Sequence, residues 1–213
     1  MGENESLVST VVQVEDATLT LSAPPELQSA VDGVIAAFRE CGSEPADGVR
    51  VDIGWGPFVL KQTGDRRFVV VTPHYAGTAD RGSTDDLTLG LWALAAQVQL
   101  AELVGVDGVP PTFADRVIIA KRALSAPGWA MTREPPSAGD SGWFVDVFPS
   151  LDDASGLGVG DLVAVPASEL LHIRKQAVRV LSLPPGVVAV VGEDSVDAVI
   201  RESDGTVLFR GDR

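Results

Sequence analysis

The chain has one cysteine, two histidines and one tyrosine among 213 residues, and each scarcity closes off a class of chemistry. A lone thiol cannot form an intramolecular disulfide, and Cys41, at the end of a helical pattern, is expected as a small buried or half-buried side chain. His74 and His172 are far apart in sequence, and one cysteine cannot complete a zinc set with them. No metal site and no cofactor are expected. Cations are scarce too: 16 Lys and Arg stand against 30 Asp and Glu, a formal net charge of −14. A phosphate-binding surface needs clustered Lys and Arg, so nucleic acid is not the expected partner. The acidic surplus suits attraction to a basic protein instead. It sits mainly in the first half, where residues 1–112 carry 16 acidic against 6 basic residues, while residues 113–213 carry 14 against 10.

A membrane-spanning run is also missing. Leu87–Ala101 holds no charge, but it falls short of the roughly 20 apolar residues a span needs, and Thr88, Gln97 and Gln99 interrupt it. The opening Met1–Ser6 is acidic and resembles no signal peptide, so a cytoplasmic location without membrane attachment is expected.

What is present is ordinary globular composition, 45% apolar and 22% charged, in a chain long enough for two small domains. Leu7–Val14 and Ala17–Leu21 read as strands around Glu15-Asp16. Pro24-Pro25 then launches a helix over 26–41, with Val31, Val34, Ile35 and Phe38 at helical spacing and Gly42 as its stop. Val49–Trp55, Pro57–Gln62 and Arg67–Thr72 read as an antiparallel meander with glycine turns. Ser83-Thr84-Asp85-Asp86 starts a helix over 85–104, apolar on nearly every side and therefore expected to be buried on more than one face.

Gly105–Pro111 reads as a linker. Beyond it, strands are expected at Arg116–Lys121, Trp129–Arg133, Trp143–Phe148, Leu162–Val165, Val178–Leu183, Val187–Val191, Val196–Glu202 and Thr206–Phe209, with a short helix over Ser168–Gln176. The fold class is α+β, in two small domains. Each is a largely antiparallel sheet packed with one or two helices: an α/β sandwich over 1–108 and a second domain over 113–213.

Motifs that could carry a reaction lack their context. Gly139-Asp140-Ser141-Gly142 matches the surroundings of a serine nucleophile, but no histidine lies at a readable spacing, and a turn between strands explains it. Gly156–Asp161 resembles a phosphate loop, yet a strand pattern rather than a helix follows it. Asp152 and Asp153 are adjacent loop carboxylates, which are usually only solvated. His74, beside Tyr75 at a strand end, is a candidate pocket edge.

Three motifs fall in order in the second half: Ala120-Lys121-Arg122, Thr132-Arg133-Glu134-Pro135 and Asp140-Ser141-Gly142-Trp143. In this they resemble the immunity protein 33-like domain of bacterial polymorphic-toxin systems, over about residues 115–209, and Leu181–Gly186 is similar to the family's closing segment. The resemblance implies a non-catalytic protein that binds a cognate toxin. An aromatic beside arginine at a strand rim is a common hot-spot composition, so Arg133, Glu134, Asp140, Ser141 and Trp143 are the expected partner-binding residues. Two other readings stand beside this one. The first is an enzyme with a site between the domains near His74 and Tyr75. The second is a structural or adaptor protein that self-associates through the apolar helix 85–104.

Overall fold

The computed structural model describes residues 6–75, 82–149 and 157–211. The chain divides into two compact units, Met1–Ala95 and Ala96–Arg213, and each builds its own mixed, largely antiparallel sheet with helices.

In the first unit, β1 (Val8–Val14) and β2 (Ala17–Ala23) form a hairpin around Glu15-Asp16, paired in unbroken register from Val8↔Ala23 to Val14↔Ala17. Helix α1 (Gln28–Glu40) follows a 3₁₀ turn at Pro25–Leu27. The expected stripe of Val31, Val34, Ile35 and Phe38 is its buried face. Gly42, at φ 68°, ends it in a conformation glycine adopts without steric cost. Cys41 is exposed rather than half-buried, because it falls past the last turn, beyond reach of that stripe.

Strands β3 (Arg50–Ile53), β4 (Gly56–Gly64) and β5 (Arg67–Pro73) form the expected meander, and β5 lies parallel to β2, giving the order β1-β2-β5-β4-β3. The short β6 (Ser83–Thr84) pairs with the end of β5. Leu19 and Leu21 of β2 meet Phe58, Leu60, Phe68 and Val70 beneath α1 to form the core.

Helix α2 (Thr88–Val104) starts three residues later than expected, because Ser83 and Thr84 are taken up by β6. The Asp86 carboxylate accepts from the Thr88 N–H at 2.9 Å and serves the helix start. The buried side of α2 changes along its length. Leu87, just ahead of it, and Leu91 belong to the first core. Val98, next on that same stripe, is 49% exposed, while Ala96, Leu100, Ala101 and Val104 are buried. This change of side makes the helix look apolar all round in sequence.

The second unit has a seven-stranded sheet. Its strands are β7 (Arg116–Ala120), β8 (Trp129–Arg133), β9 (Asp140–Val147), β10 (Leu162–Pro166), β11 (Val187–Val191), β12 (Val196–Arg201) and β13 (Val207–Arg210). Their order is β10-β7-β9-β8-β11-β12-β13, with β7 and β9 parallel.

Helical turns at Lys121–Ser125, Val159–Asp161 and Ala167–Glu169, the short helix α3 (Leu170–Ile173) and a 3₁₀ segment at Lys175–Val180 supply the remaining described helical structure. The strand expected at Val178–Leu183 is therefore absent. Val178, Val180, Leu181 and Leu183 are all fully buried, and a short run apolar at nearly every position fits a buried turn of helix as well as a strand.

Candidate interaction face and two arginine–tryptophan pairs

The second sheet has two unlike faces. On one, Trp129, Met131, Trp143, Val145, Ala189 and Val199 are fully buried. Indole N–H groups tie this face to its cover: Trp129 donates to Ala123 O at 2.7 Å and Trp143 to Leu181 O at 3.0 Å. The alternate residues point the other way. Strand register lines up Ile118, Phe144, Thr132, Val188, Ile200 and Val207 as one row across six strands. The first five are half-buried and Val207 is exposed. An antiparallel sheet with one solvated face normally alternates apolar-in with polar-out. Here five of the six outward positions in the row are apolar.

A groove of about 640 Å³ continues this face, lined by Phe148, Val190, Ala198 and Ile200 with Asp197 and Arg210 at its margin. Phe148 is 45% exposed. On this same face, two residues along β9 from Phe144, Asp146 accepts two bonds from Arg122, 2.7 Å from Nε and 2.5 Å from Nη2. That guanidinium holds the Asp146 carboxyl below the usual carboxylate range. The face thus combines a row of apolar positions, interrupted by Thr132, with the fixed charges of Arg122 and Asp146.

The residues expected to form a binding rim are placed differently. Arg133 is 2% exposed, Ser141 0% and Trp143 1%. The Arg133 guanidinium donates from Nε to Ser141 O at 3.1 Å and from Nη1 to Val109 O at 2.7 Å and to Leu183 O. Its Cζ stands 5.5 Å from the Trp143 ring centroid. Burial brings its pKa down to about 10, against a smaller opposing pull from Asp115. This arginine caps three main-chain carbonyls from separate parts of the unit.

Ser141 Oγ donates to Arg116 O at 2.7 Å and accepts from the Trp143 N–H at 3.2 Å, so its hydroxyl joins β7 to β9 and is not poised as a nucleophile. Asp140 accepts from the Gly142 N–H at 2.8 Å. Gly142 has φ 75°, and a Cβ there would stand 2.1 Å from Glu134 O. No other side chain fits without moving β8 from β9. Glu134 is exposed and Asp140 half-buried, so of the five expected residues these two reach the surface.

A second pair escaped the sequence reading. Arg174 lies over the Trp129 ring at 4.5 Å and donates to Ala126 O, Pro127 O and Val191 O at 2.6, 2.8 and 3.2 Å. Burial lowers its pKa, and Glu193 opposes that shift. The signal was faint: an arginine inside the short helical pattern Ser168–Gln176, its aromatic partner far away in sequence.

In the first unit, His74 and Tyr75 do line one cavity, with Pro73, Thr84, Asp86 and Leu89, and it measures about 60 Å³. That is room for about two waters, far below the 300 Å³ or more of a typical small-molecule site. Tyr75 is 2% exposed and stacks on Trp55 at 5.2 Å, and burial pushes its phenol up to about 12. Among the described residues, no group of three or more His, Cys, Asp or Glu could hold a metal ion, and no helix is long and apolar enough to cross a membrane. Asp152, Asp153 and Gly156 lie outside the described residues.

A family model of the Imm33-like domain matches residues 96–202, about half of the chain. The chain belongs to the Imm33-like family. No curated protein and no solved structure matches it. The Imm33-like segment contains both arginine–tryptophan pairs and strands β7 to β12, and so nearly all of the apolar row. The motifs that carry the likeness, Thr132–Pro135 and Asp140–Trp143, do structural work in this domain. They close the β8–β9 connection, link it to β7 and satisfy interior carbonyls.

Proposed function

We propose that this Imm33-like protein is an immunity-type binding protein that neutralises a cognate toxin by covering it, without chemistry of its own. The observation that carries the reading is the outward row Ile118, Phe144, Val188 and Ile200 within the family segment. Contiguous outward apolar area on a folded protein marks an interaction surface. A rigid sheet also presents it without an ordering cost on binding. Glu134 and Asp140 belong to the same proposal as polar contacts. Arg133, Ser141 and Trp143 serve it indirectly, by holding the sheet in shape. The acidic surplus supplies long-range attraction to a basic toxin, which raises the association rate and makes it salt-sensitive.

The test is titration calorimetry of the purified chain against the toxin encoded in a neighbouring reading frame, comparing the native protein with Ile200→Glu and Phe144→Ser. Association that weakens at least tenfold in both variants, with their melting curves unchanged, is the expected result. Failure of the native chain to bind any neighbouring gene product would remove the toxin reading. Undiminished binding by both variants would place the contact elsewhere.

A further inference from the structure

We propose that β1 is a dimerisation edge, on which a second copy of this chain adds its own β1 antiparallel across a two-fold axis. Sheet edges carry unpaired backbone groups, and folded proteins blunt them with charge, proline, bulges or short length. Among the described residues, three of the four sheet edges are blunted in those ways. β3 is four residues long and carries the Arg50–Asp52 ion pair. β10 ends in Pro166. β13 is four residues long, ends in Arg210, and has a register shift against β12. β1 has none of these devices. Its seven residues, Val-Ser-Thr-Val-Val-Gln-Val, contain no charge, glycine or proline, and its pairing with β2 runs without a bulge. Leu7, Val8 and Val11 are 48%, 49% and 64% exposed.

The geometry selects the register. A two-residue turn joins Val14 to Ala17, so that pair exchanges both of its hydrogen bonds, and alternation turns Val12, Thr10 and Val8 toward β2 as well. The backbone groups of Ser9, Val11 and Gln13 therefore point outward. Their side chains leave the edge clear, since Ser9 Oγ bonds Ser22 Oγ at 3.1 Å and Gln13 donates to Thr18 at 2.9 Å, both across to β2. A two-fold through Val11 pairs Val11 with the partner's Val11 and Ser9 with the partner's Gln13. Each pair exchanges two backbone bonds. Val8 then faces the partner's Val14, and Thr10 the partner's Val12, so β-branched residues meet across the seam.

Charge selects the antiparallel sense for such a pair. Glu15 and Asp16 of the two chains lie at opposite ends of such a ladder, whereas parallel pairing would set them side by side. The rest of the chain is acidic, so two copies repel at a distance, and added salt should strengthen the dimer by screening. Binding of a basic toxin responds to salt in the opposite direction, so the two proposals stand or fall separately.

The experiment is sedimentation equilibrium of the full chain from about 1 μM to about 500 μM, at low and high salt, for the native protein and Val11→Lys. The expected result is a concentration-dependent mass rising from 22.3 kDa toward twice that value, more readily at high salt. Val11→Lys should remain monomeric with the native melting temperature. In a Cys41→Ser background, Val11→Cys should form a disulfide-linked dimer under mild oxidation, because paired Cα atoms at such positions lie about 5.5 Å apart. Ser9→Cys should not, because its own counterpart lies more than about 10 Å away. A native chain that stays monomeric throughout, a dimer that survives Val11→Lys, or equal cross-linking at both positions overturns the proposal.

Discussion

Arg133 sits 5.5 Å from the centre of the Trp143 ring while its own donors reach the carbonyls of Val109, Ser141 and Leu183. Its Nε and Nη1 thereby satisfy three main-chain carbonyls from separate parts of the unit. No carboxylate among the described residues forms an ion pair with it.

Replacing Arg133 with Met keeps much of the volume and strands those acceptors. Each buried group left without a partner costs about 1–3 kcal/mol. Arg133→Met should therefore destabilise the second unit by about 3 kcal/mol or more, read as a lower urea midpoint. Arg133→Lys should recover little, because a single ammonium cannot span three carbonyls set by a planar fork. A variant as stable as the native chain would show that the carbonyls find other donors.

Tyr75 is the sole tyrosine of the chain, so absorbance near 295 nm follows its ionisation alone. Burial raises the folded phenol to about 12, from an ordinary value of 10. The unfolded chain ionises first as alkali is added, so stability should hold below about pH 10 and fall between 10 and 12, by about 1.4 kcal/mol per pH unit. A native titration midpoint near 10 would mean that Tyr75 is open to solvent.

Asp146 shifts the opposite way. Its folded pKa lies below the ordinary 3.8 because Arg122 donates to it. The contribution of this pair is therefore full above that value and is lost as pH falls through the folded pKa. Asp146→Asn should melt about 2–4 °C lower than the native chain at neutral pH. The gap should close in acid. A gap of constant size from neutrality to pH 2 would argue against the ion pair.

Where the second unit can be cut is a matter of hydrogen bonding. The Gln97 side chain donates from Nε2 to Val178 O at 3.1 Å, and its main-chain carbonyl accepts from the Ser182 hydroxyl at 3.2 Å. The Val109 N–H reaches Ser182 O at 2.6 Å. A fragment covering 113–213 lacks all of these and loses an acceptor of Arg133. It should melt well below a fragment that begins at Thr88. Equal melting would support a boundary in the glycine–proline segment 105–111.

Much of the fold could be read in the sequence because its signals are local. The β2 alternation, the α1 stripe and the glycine turns each act within a few residues, and strands β8 and β11 fall where expected. What escaped depends on partners far along the chain. Val178–Leu183 could be told from a strand only by knowing that it lies under Trp143. Arg133 and Trp143 were legible as a pair but not as an interior pair, since an arginine at a strand end belongs on the surface unless carbonyls from distant loops converge on it. The apolar row was hidden for the same reason. Its members are single outward residues on separate strands, and only the register assembles them.

The exposed thiol of Cys41 has a practical consequence. Being the lone cysteine, it accepts one maleimide dye per molecule without engineering, and it is carried by the first unit, outside the Imm33-like segment. Fluorescence anisotropy of protein tagged there can report the arrival of a toxin while leaving the apolar row chemically untouched.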